Sequence, residues 1–278
     1  MKDQWEKRNG SPILTLDDIS KSIGGLSILH RVSFSIRPYT ITSLIGPNGA
    51  GKTTALNIIS GVMPLSSGQI FFEGRLISGA RPHIVTELGI GRTFQQTQIF
   101  KNMTVEQNIM VGFHPRTRSG LLAGIIHLSR ERREERNVRE WTQDLLGQFN
   151  LMDLASQPAE TISLWAQKWL EIARAMAGQP RLIMLDEPTS GLNPMEIRET
   201  RNLILRLKEQ GLTILLVEHN MDLVMDISDS VIVLNYGQKI AEGKPEEIQR
   251  NRYVIDAYLG WDAAEDIRDG KKLEEESL

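Results

Sequence analysis

A run of nine small, polar and basic residues contains the strongest chemical signal in the chain. It comprises Gly46, Pro47, Asn48, Gly49, Ala50, Gly51, Lys52, Thr53 and Thr54. Glycines let the backbone curl so that successive N–H groups point inward and bind an anion. The spacing fits the phosphate-binding pattern G-x-x-x-x-G-K-[ST]. We therefore predict that this phosphate loop binds a nucleoside triphosphate, with Lys52 on the outer phosphates and the Thr53 hydroxyl on Mg²⁺.

The residues on either side of the phosphate loop have the pattern of a strand and a helix. Ile41–Ile45 is a short apolar run that ends at Gly46, as expected for a buried strand leading into the loop. Thr54–Ser60 suits a helix, whose positive N-terminal end would face the same phosphates. A chance glycine-rich turn is the alternative, and the strand–loop–helix setting favours nucleotide binding over it.

A second group of polar residues follows another apolar run. Leu182–Leu185 predicts a buried strand, and Asp186 and Glu187 come directly after it. Because strand ends in a doubly wound sheet open onto the ligand crevice, we expect both carboxylates near the phosphates. Asp186 can hold Mg²⁺ directly or through water, and Glu187 can polarise the attacking water. An ordinary polar loop is the alternative, which the upstream phosphate loop makes less favourable.

Two more side chains are candidates for the same site. His219 follows the apolar run Thr213–Val217, and it could either cap the next helix or donate a hydrogen bond to the terminal phosphate. In the company of the phosphate loop we favour the second role. Gln95 lies where strand-like residues give way to a helical segment. A glutamine there can reach both Mg²⁺ and water, so we interpret Gln95 as a metal-binding and catalytic candidate.

The composition excludes several classes of function. The 278 residues are 40% hydrophobic and 24% charged, as in an ordinary globular protein. The net charge of -3 gives no electrostatic case for binding nucleic acid. The chain has no cysteine, which excludes disulfides and thiolate metal sites. Met1–Gly10 is charged and lacks the apolar segment of a secretion signal. No stretch approaches the roughly 18 apolar residues that span a bilayer, so we expect any membrane role to be peripheral.

The order of the elements predicts an α/β fold. Nearly continuous apolar runs at Thr213–Val217 and Val231–Leu234 are typical of parallel strands covered on both faces. Glu196–Gln210 has helical spacing, with Asn193 as a plausible N-cap and Pro194 as the first helical residue. Alternation of strands and helices indicates a mainly parallel sheet.

Strand signals nearly vanish between residue 97 and about residue 172. There, Arg130–Glu140 mixes both charge signs, as on a solvated helix face. The predicted fold is a phosphate-loop NTPase core with a mainly parallel sheet, an N-terminal antiparallel β part and an inserted α-helical subdomain. We predict one domain over 11–260, with a core at 11–96 and 173–245, a helical subdomain at about 97–172 and a mobile charged tail at 261–278.

These motifs, in this order, resemble the nucleotide-binding subunits of ABC transporters over residues 13–260. Finer features are similar to branched-chain amino-acid importers: Gly91-Arg92-Thr93-Phe94-Gln95, Gly191-Leu192-Asn193-Pro194, Val217-Glu218-His219-Asn220-Met221 and Ala257-Tyr258-Leu259-Gly260. The helical stretch 113–140 is also typical of that branch.

The resemblance implies a dimer of such subunits on the cytoplasmic face of the cell membrane, bound peripherally to transmembrane permease subunits. Two ATP molecules lie between the subunits, and a separate binding protein delivers the substrate. The resemblance also implies roles for two loops: Ser190–Asn193 faces the partner subunit, and His219 senses the terminal phosphate.

The sequence departs from the family at its signature motif, which reads roughly Leu-Ser-Gly-Gly-Gln. Leu170–Ala175 sets the register and places residues 162–166, Ile-Ser-Leu-Trp-Ala, in this signature slot. Ser163 remains as a nucleotide-binding candidate, but both glycines and the glutamine are replaced. The signature contacts ATP held by the opposite subunit, and we expect Trp165 to obstruct that contact. We therefore predict one weakened ATP site and a non-identical partner subunit.

Two milder departures concern the adenine. Ile23 occupies the position where the family often has an aromatic residue that stacks on the base. The turn before Ile41–Ile45 usually contains glycine in the family, and here it reads Pro38-Tyr39-Thr40. Tyr39 is therefore a candidate to contribute to base packing.

Three other functions stay open from the sequence. A non-transport relative acting in DNA repair or translation usually carries a long coiled-coil insertion or a second ATPase domain, and this chain has neither. A regulatory, non-hydrolysing subunit fits the altered signature but not the presence of Glu187, Gln95 and His219. A kinase or GTPase would share only the phosphate loop. Within transport, urea and short amides are alternatives to branched-chain amino acids.

Overall fold

The structure is a computed structural model that describes residues 11–113 and 128–258, with side chains for 11–113 and 136–258. The predictions for Met1–Gly10 and for the tail 261–278 lie outside these residues, as does part of the helical stretch 113–140. The strands are β1 (Leu14–Ile23), β2 (Leu26–Ile36), β3 (Ile41–Ile45), β4 (Ser67–Phe72), β5 (Arg75–Leu76), β6 (Ile90–Arg92), β7 (Leu182–Asp186), β8 (Thr213–Val217), β9 (Ser230–Asn235) and β10 (Gln238–Gly243). The helices are α1 (Lys52–Ile59), α2 (Pro82–Glu87), α3 (Val105–Val111), α4 (Leu128–Gln148), α5 (Leu164–Ala177), α6 (Pro194–Glu209), α7 (Met221–Ile227) and α8 (Pro245–Gln249).

A six-stranded sheet forms the centre of the molecule, in the order β10-β9-β3-β8-β7-β6. Its strands pair in parallel except for β10, which runs antiparallel to β9. Every residue of β3, β7 and β8 is buried. This explains why these three strands are almost continuously apolar in the sequence, since both faces are covered.

A second, antiparallel sheet has the order β2-β1-β4-β5. The turn between β1 and β2 uses Gly24 and Gly25 at φ +56° and +84°, a conformation that favours glycine in a tight hairpin. The apolar runs Ile13–Leu16 and Val32–Ile36 predict strands here, and both observed strands are longer than these runs. The pairing of β1 with β2 shifts register after Leu16, and polar residues fill the more exposed part of the hairpin.

Two apolar clusters lie on opposite faces of the six-stranded sheet. Along β7, Ile183 and Leu185 join a cluster with α3, α4, α5 and α6. Leu182 and Met184 alternate with them and join the cluster shared with α1 and the antiparallel sheet. The fold therefore has the predicted mainly parallel core, antiparallel β part and helical layer.

The helices follow the sequence signals closely. Asn193 caps α6, where its side chain accepts from the N–H groups of Met195 and Glu196, and Pro194 begins the helix. No regular strand occurs among the described residues from 97 to 172. Helix α5 crosses the predicted boundary at residue 172 and ends at Ala177, so the division into core and helical subdomain stays a prediction.

None of the helices within the described ranges combines the length and the apolar character that a bilayer span requires.

Candidate functional site

The phosphate loop joins β3 to α1 and is wedged between two strands. Gly46 has φ +147° and Gly51 has φ +101°. A Cβ atom on Gly46 would lie 2.0 Å from the carbonyl oxygen of Leu234, and one on Gly51 would lie 2.6 Å from Cδ2 of Leu29. Because β9 and β2 press on the loop from outside, these two positions require glycine. Gly49, at φ +78°, meets no such neighbour.

Lys52 is held inside the curl of the phosphate loop. Its ammonium group donates to the carbonyl oxygens of Gly46 at 2.6 Å and Pro47 at 3.0 Å. Burial lowers the pKa of Lys52, and the nearby carboxylates of Glu187 and Asp186 oppose that shift. Only 6% of the residue is exposed. A buried cation that faces loop carbonyls is well placed to bind a phosphate in the same curl.

Asp186 ends β7 and has one carboxylate oxygen without a partner. Oδ2 lies 3.5 Å from Nη2 of Arg92, whereas Oδ1 is buried and accepts no hydrogen bond from the described residues. Burial raises the pKa of Asp186, and the charge of Arg92 opposes the rise. An unpaired buried oxygen is costly unless something binds it. Its chemistry fits Mg²⁺, for which the Thr53 hydroxyl at the start of α1 is the second candidate ligand.

Glu187 brings the three candidate catalytic residues together. Its Oε1 accepts from Nε2 of Gln95 at 3.2 Å and lies 3.0 Å from Nε2 of His219. The three residues follow different elements and are far apart in the sequence. His219 does not cap α7, because the side chain of Asn220 accepts from the N–H of Leu223 there. The alternative role for His219, as a helix cap, is therefore wrong.

The site lies at the carboxyl ends of three neighbouring strands of the central sheet. The phosphate loop follows β3, His219 follows β8 and Glu187 follows β7, and these three strands are adjacent and parallel. Their carboxyl ends therefore lie side by side, as expected for the ligand crevice of an open parallel sheet.

Sequence reasoning missed two buried polar residues behind the carboxylates. Lys168 of α5 donates from Nζ to the carbonyl oxygen of Glu187 at 3.0 Å. Glu218 accepts from the N–H of Thr189 at 2.8 Å and from its hydroxyl at 2.6 Å. A signal for Lys168 was present, since it lies at helical spacing between the buried or half-buried Trp165 and Ile172.

Tyr258 is a third residue whose role was missed. It packs against the cluster that contains Ile45, and its hydroxyl lies near the backbone of Gly46, which opposes the effect of burial on its pKa. Burial raises the pKa of Tyr258 to about 12, so the hydroxyl is neutral. The residue belongs to the Ala257–Gly260 motif, which was interpreted only as a mark of family. The C-terminal part of the chain thus supports the start of the phosphate loop.

The signature slot lies at the start of α5. Ser163 is exposed and caps this helix, where its hydroxyl accepts from the N–H of Ala166 at 3.3 Å. Because its expected contact is with ATP held by the opposite subunit, the role of Ser163 in nucleotide binding stays a prediction. Trp165 packs into the helical core against Trp169, with ring centroids 4.4 Å apart. The buried indole nitrogen of Trp165 has no partner among the described residues.

The exposed apolar side chain of the slot is Leu164, at 46% exposure. Its Cδ2 lies 3.1 Å from the position of a Cβ built on Gly191, in the loop expected to face the partner subunit. The partly buried indole of Trp165 packs against the core, so the expectation that Trp165 obstructs the contact with the partner's ATP stays a prediction. Leu164 is the residue that stands at the surface.

The adenine candidates lie at different places. The backbone N–H of Tyr39 donates to Thr213 at the start of β8, at the opposite end of β3 from the phosphate loop. Tyr39 therefore cannot pack against a base bound beside that loop, and this expectation is wrong. Ile23, at the end of β1, is 50% exposed.

Comparison with known proteins gives consistent matches. A family model described as ABC transporter matches residues 29–190. A second, described as branched-chain amino acid ATP-binding cassette transporter, matches residues 238–262. The high-affinity branched-chain amino acid transport ATP-binding protein BraF of Pseudomonas aeruginosa is 41% identical over 250 residues, which are 90% of this chain and 98% of BraF. LivG of Escherichia coli K12, with the same description, is 39% identical over 90% of this chain and 98% of LivG.

Solved structures agree with the sequence relatives. A nucleotide-free ATP-binding cassette from an ABC transporter superposes with a TM-score of 0.78 at 32% identity, over 89% of this chain and 99% of that one. The ADP conformation of an ATP-binding cassette has the same score and identity over 90% and 99%. The likeness therefore extends well beyond the short motifs.

Proposed function

We propose, from the premise that this chain belongs to the ABC transporter family of ATP-binding proteins, that it hydrolyses ATP to power a membrane importer of branched-chain amino acids. The observation that carries the proposal is the meeting of Gln95 and His219 on one oxygen of Glu187. The names of the relatives support the transported class.

The phosphate loop and the carboxylates have separate roles in this proposal. Backbone N–H groups of residues 46–54 and the Lys52 ammonium bind the phosphates. Asp186 and Thr53 would hold Mg²⁺, with Gln95 as a third candidate ligand. When bound, the ion neutralises charge that develops on the phosphate oxygens. The positive charge of Arg92 offsets the negative charge of the buried Asp186 carboxylate, which lies 3.5 Å away.

Glu187 is the proposed general base. Gln95 and His219 both bind Oε1, and Oε2 has no hydrogen bond from the described residues. Oε2 is therefore available to accept from a water that attacks the terminal phosphate. We also propose that His219 donates a hydrogen bond to that phosphate. Fixing one carboxylate oxygen with two neighbours orients the other, which is what general-base catalysis needs.

The altered signature slot supports an asymmetric pair of subunits. Leu164 presents a bulky apolar group where a glycine would let a helix N-terminus approach the partner's ATP. This chain's own phosphate loop keeps all its candidate residues and would be completed by the signature of the partner. We therefore propose a non-identical second ATPase subunit, with one active and one weakened ATP site.

A groove beside Gln95 is the proposed contact with a permease subunit. It encloses about 430 Å³ and is lined in part by Phe94, Ile99, Phe100 and Val111. Phe94 and Phe100 are 37% and 46% exposed. A permease segment seated here would contact the residues that follow Gln95, so its movement could reach Glu187. Such docking places the chain peripherally on the cytoplasmic face of the membrane, with the binding protein acting only indirectly.

Transport and hydrolysis are tested together in vesicles. We would purify the transporter through a tag on this chain, reconstitute it, and measure ATP-dependent uptake of labelled leucine, isoleucine and valine, with urea and acetamide as alternatives. Uptake of the amino acids is expected, together with little ATPase activity of the lone chain. Uptake of urea alone would overturn the substrate class, and robust turnover by the lone chain would overturn the asymmetric arrangement.

A further inference from the structure

Lys168 is an unusual residue for its position in the fold. It lies on α5, the helix that begins at the signature slot, and only 7% of the residue is exposed. Lysine is almost never fully buried unless it is paired. Its Nζ atom donates to the main-chain carbonyl oxygen of Glu187 at 3.0 Å, across 19 positions of sequence. The side chain thus connects the signature helix to the proposed general base.

The main chain of Glu187 is constrained on both sides. Its φ of +52° is a left-handed conformation that non-glycine residues seldom adopt. Its N–H donates to the carbonyl oxygen of Val217 at 2.8 Å. Its carbonyl oxygen accepts from Lys168 and from the N–H of Ser190, at 3.0 Å and 3.3 Å. Such strained conformations persist where the surroundings over-determine them, commonly at functional sites.

A cation suits this position better than a neutral donor. Lys168 interacts electrostatically with four carboxylates, which are those of Glu218, Glu171, Glu187 and Asp186. Burial opposes its charged form, whereas the carboxylates favour it. Removing the charge would leave these acids less compensated, and it would leave the Glu187 carbonyl with the N–H of Ser190 as its one remaining donor among the described residues. Glu187 is subject to both effects.

We infer that Lys168 is a positioning residue for ATP hydrolysis, which holds the main chain of Glu187 in its left-handed conformation and links it to the signature helix. This inference rests on the proposed function, because it assumes that Glu187 is the general base. The link has a mechanical consequence. A displacement of α5, whose N-terminus is the part offered to the partner subunit, would move Nζ and so change the setting of the Glu187 carboxylate.

Substitution of Lys168 separates positioning from packing. Methionine has a similar length and no charge and fills irregular gaps well, so Lys168→Met keeps the packing and loses the hydrogen bond. In the purified transporter we expect kcat to fall roughly tenfold to a hundredfold, as for a displaced catalytic group. The KM for ATP should not change, because Lys168 has no contact with the phosphate loop among the described residues. Lys168→Arg, which keeps a charged donor, should recover a large part of kcat.

The controls make the outcomes distinct. Lys208→Met removes a lysine of α6 that pairs with Asp229, away from the site, and should leave kcat unchanged. If Lys168→Met melts below the assay temperature, Lys168→Gln replaces it with the same expected fall, since its amide is too short to reach the carbonyl. A wild-type kcat in the folded variant, or equal loss of kcat and ATP affinity, would overturn the inference.

Glu187→Gln separates this inference from the proposed function. If Glu187→Gln leaves turnover intact, the proposed general base is wrong and the inference fails with it. If Glu187→Gln abolishes turnover and Lys168→Met does not reduce it, only the inference about Lys168 fails.

Discussion

The phosphate-loop site and the signature slot of this chain differ in how deeply the fold buries them. The first half, called the internal half below, consists of this chain's phosphate loop, Asp186 and Glu187. Asp186 and Lys52 are buried, and the partly buried Glu187 binds two neighbouring side chains. The second half, called the signature half below, is the signature slot at residues 162–166. It lies at the surface, where Ser163 caps its own helix and Leu164 is exposed. The fold of a single chain holds the first half, whereas the second half is, in the proposed function, completed by a partner subunit.

The difference shows where sequence change is tolerated. Burying an unpaired polar group costs about 1 to 3 kcal/mol, so the residues around Asp186 and Glu187 depend on one another. A change at Leu164 alters an exposed side chain and leaves the core intact. The fold can therefore keep its own site while the offered signature diverges. In the proposed arrangement, a non-identical partner supplies the signature that this site needs.

The largest expected effect tests the internal half. Glu187→Gln removes the proposed base but preserves size and both hydrogen-bonding neighbours. Turnover by the purified transporter should fall on the order of a hundredfold to ten-thousandfold, as when a general base is lost. ATP binding should remain, because Lys52 and the loop are untouched. Phosphate release and equilibrium nucleotide binding measure the two quantities, and undiminished turnover would contradict the assigned role.

The next effect concerns binding instead of chemistry. Lys52→Ala should weaken ATP binding roughly a hundredfold, because it removes a buried cation from the phosphate curl. Titration of the chain with a fluorescent ATP analogue measures this affinity. Lys208→Ala is the matched control, since it deletes a lysine from the outer face of α6. ATP bound equally tightly by both variants would exclude the phosphate loop as the nucleotide site.

The contrast between buried and exposed segments also explains how far the sequence predicts the structure. The runs Ile41–Ile45 and Thr213–Val217 predict β3 and β8 to the residue, because strands covered on both faces are continuously apolar. The apolar run of β1 predicts only its start, because the rest is partly exposed and irregularly paired. The motifs predict that Gln95, Glu187 and His219 share a site. They do not show which side chain of the signature slot faces outward, since that depends on how Trp165 packs against Trp169.

The signature half is best tested in a variant whose own ATP site is inactive. In a Glu187→Gln background, the remaining turnover comes from the partner's phosphate loop and this chain's signature slot. Leu164→Gly should raise that residual turnover roughly tenfold, because a backbone donor can then approach the phosphate. Leu164→Ile keeps the bulk and should give no rise. A residual rate that is the same in both variants would show that Leu164 does not limit the site.

Trp165→Gly in the same background separates obstruction from packing. The indole contacts the helical core, so its removal should destabilise the fold by about 3 kcal/mol without raising turnover. Thermal denaturation measures the loss of stability. A clear rise in turnover with an unchanged melting temperature would identify Trp165 as the obstructing group.

The smallest expected effect tests how firmly the internal half is held. Tyr258→Phe removes the hydroxyl near the backbone of Gly46 and keeps the ring packed against the cluster that contains Ile45. Loss of a buried polar interaction costs about 1 kcal/mol, so the Kd for ATP should rise roughly fivefold. Tyr253→Phe is the matched control, because Tyr253 is 77% exposed and should show no change. Equal affinities in the two variants would mean that the C-terminal segment packs beside the phosphate loop without supporting it, and that β2 and β9 alone hold the curl.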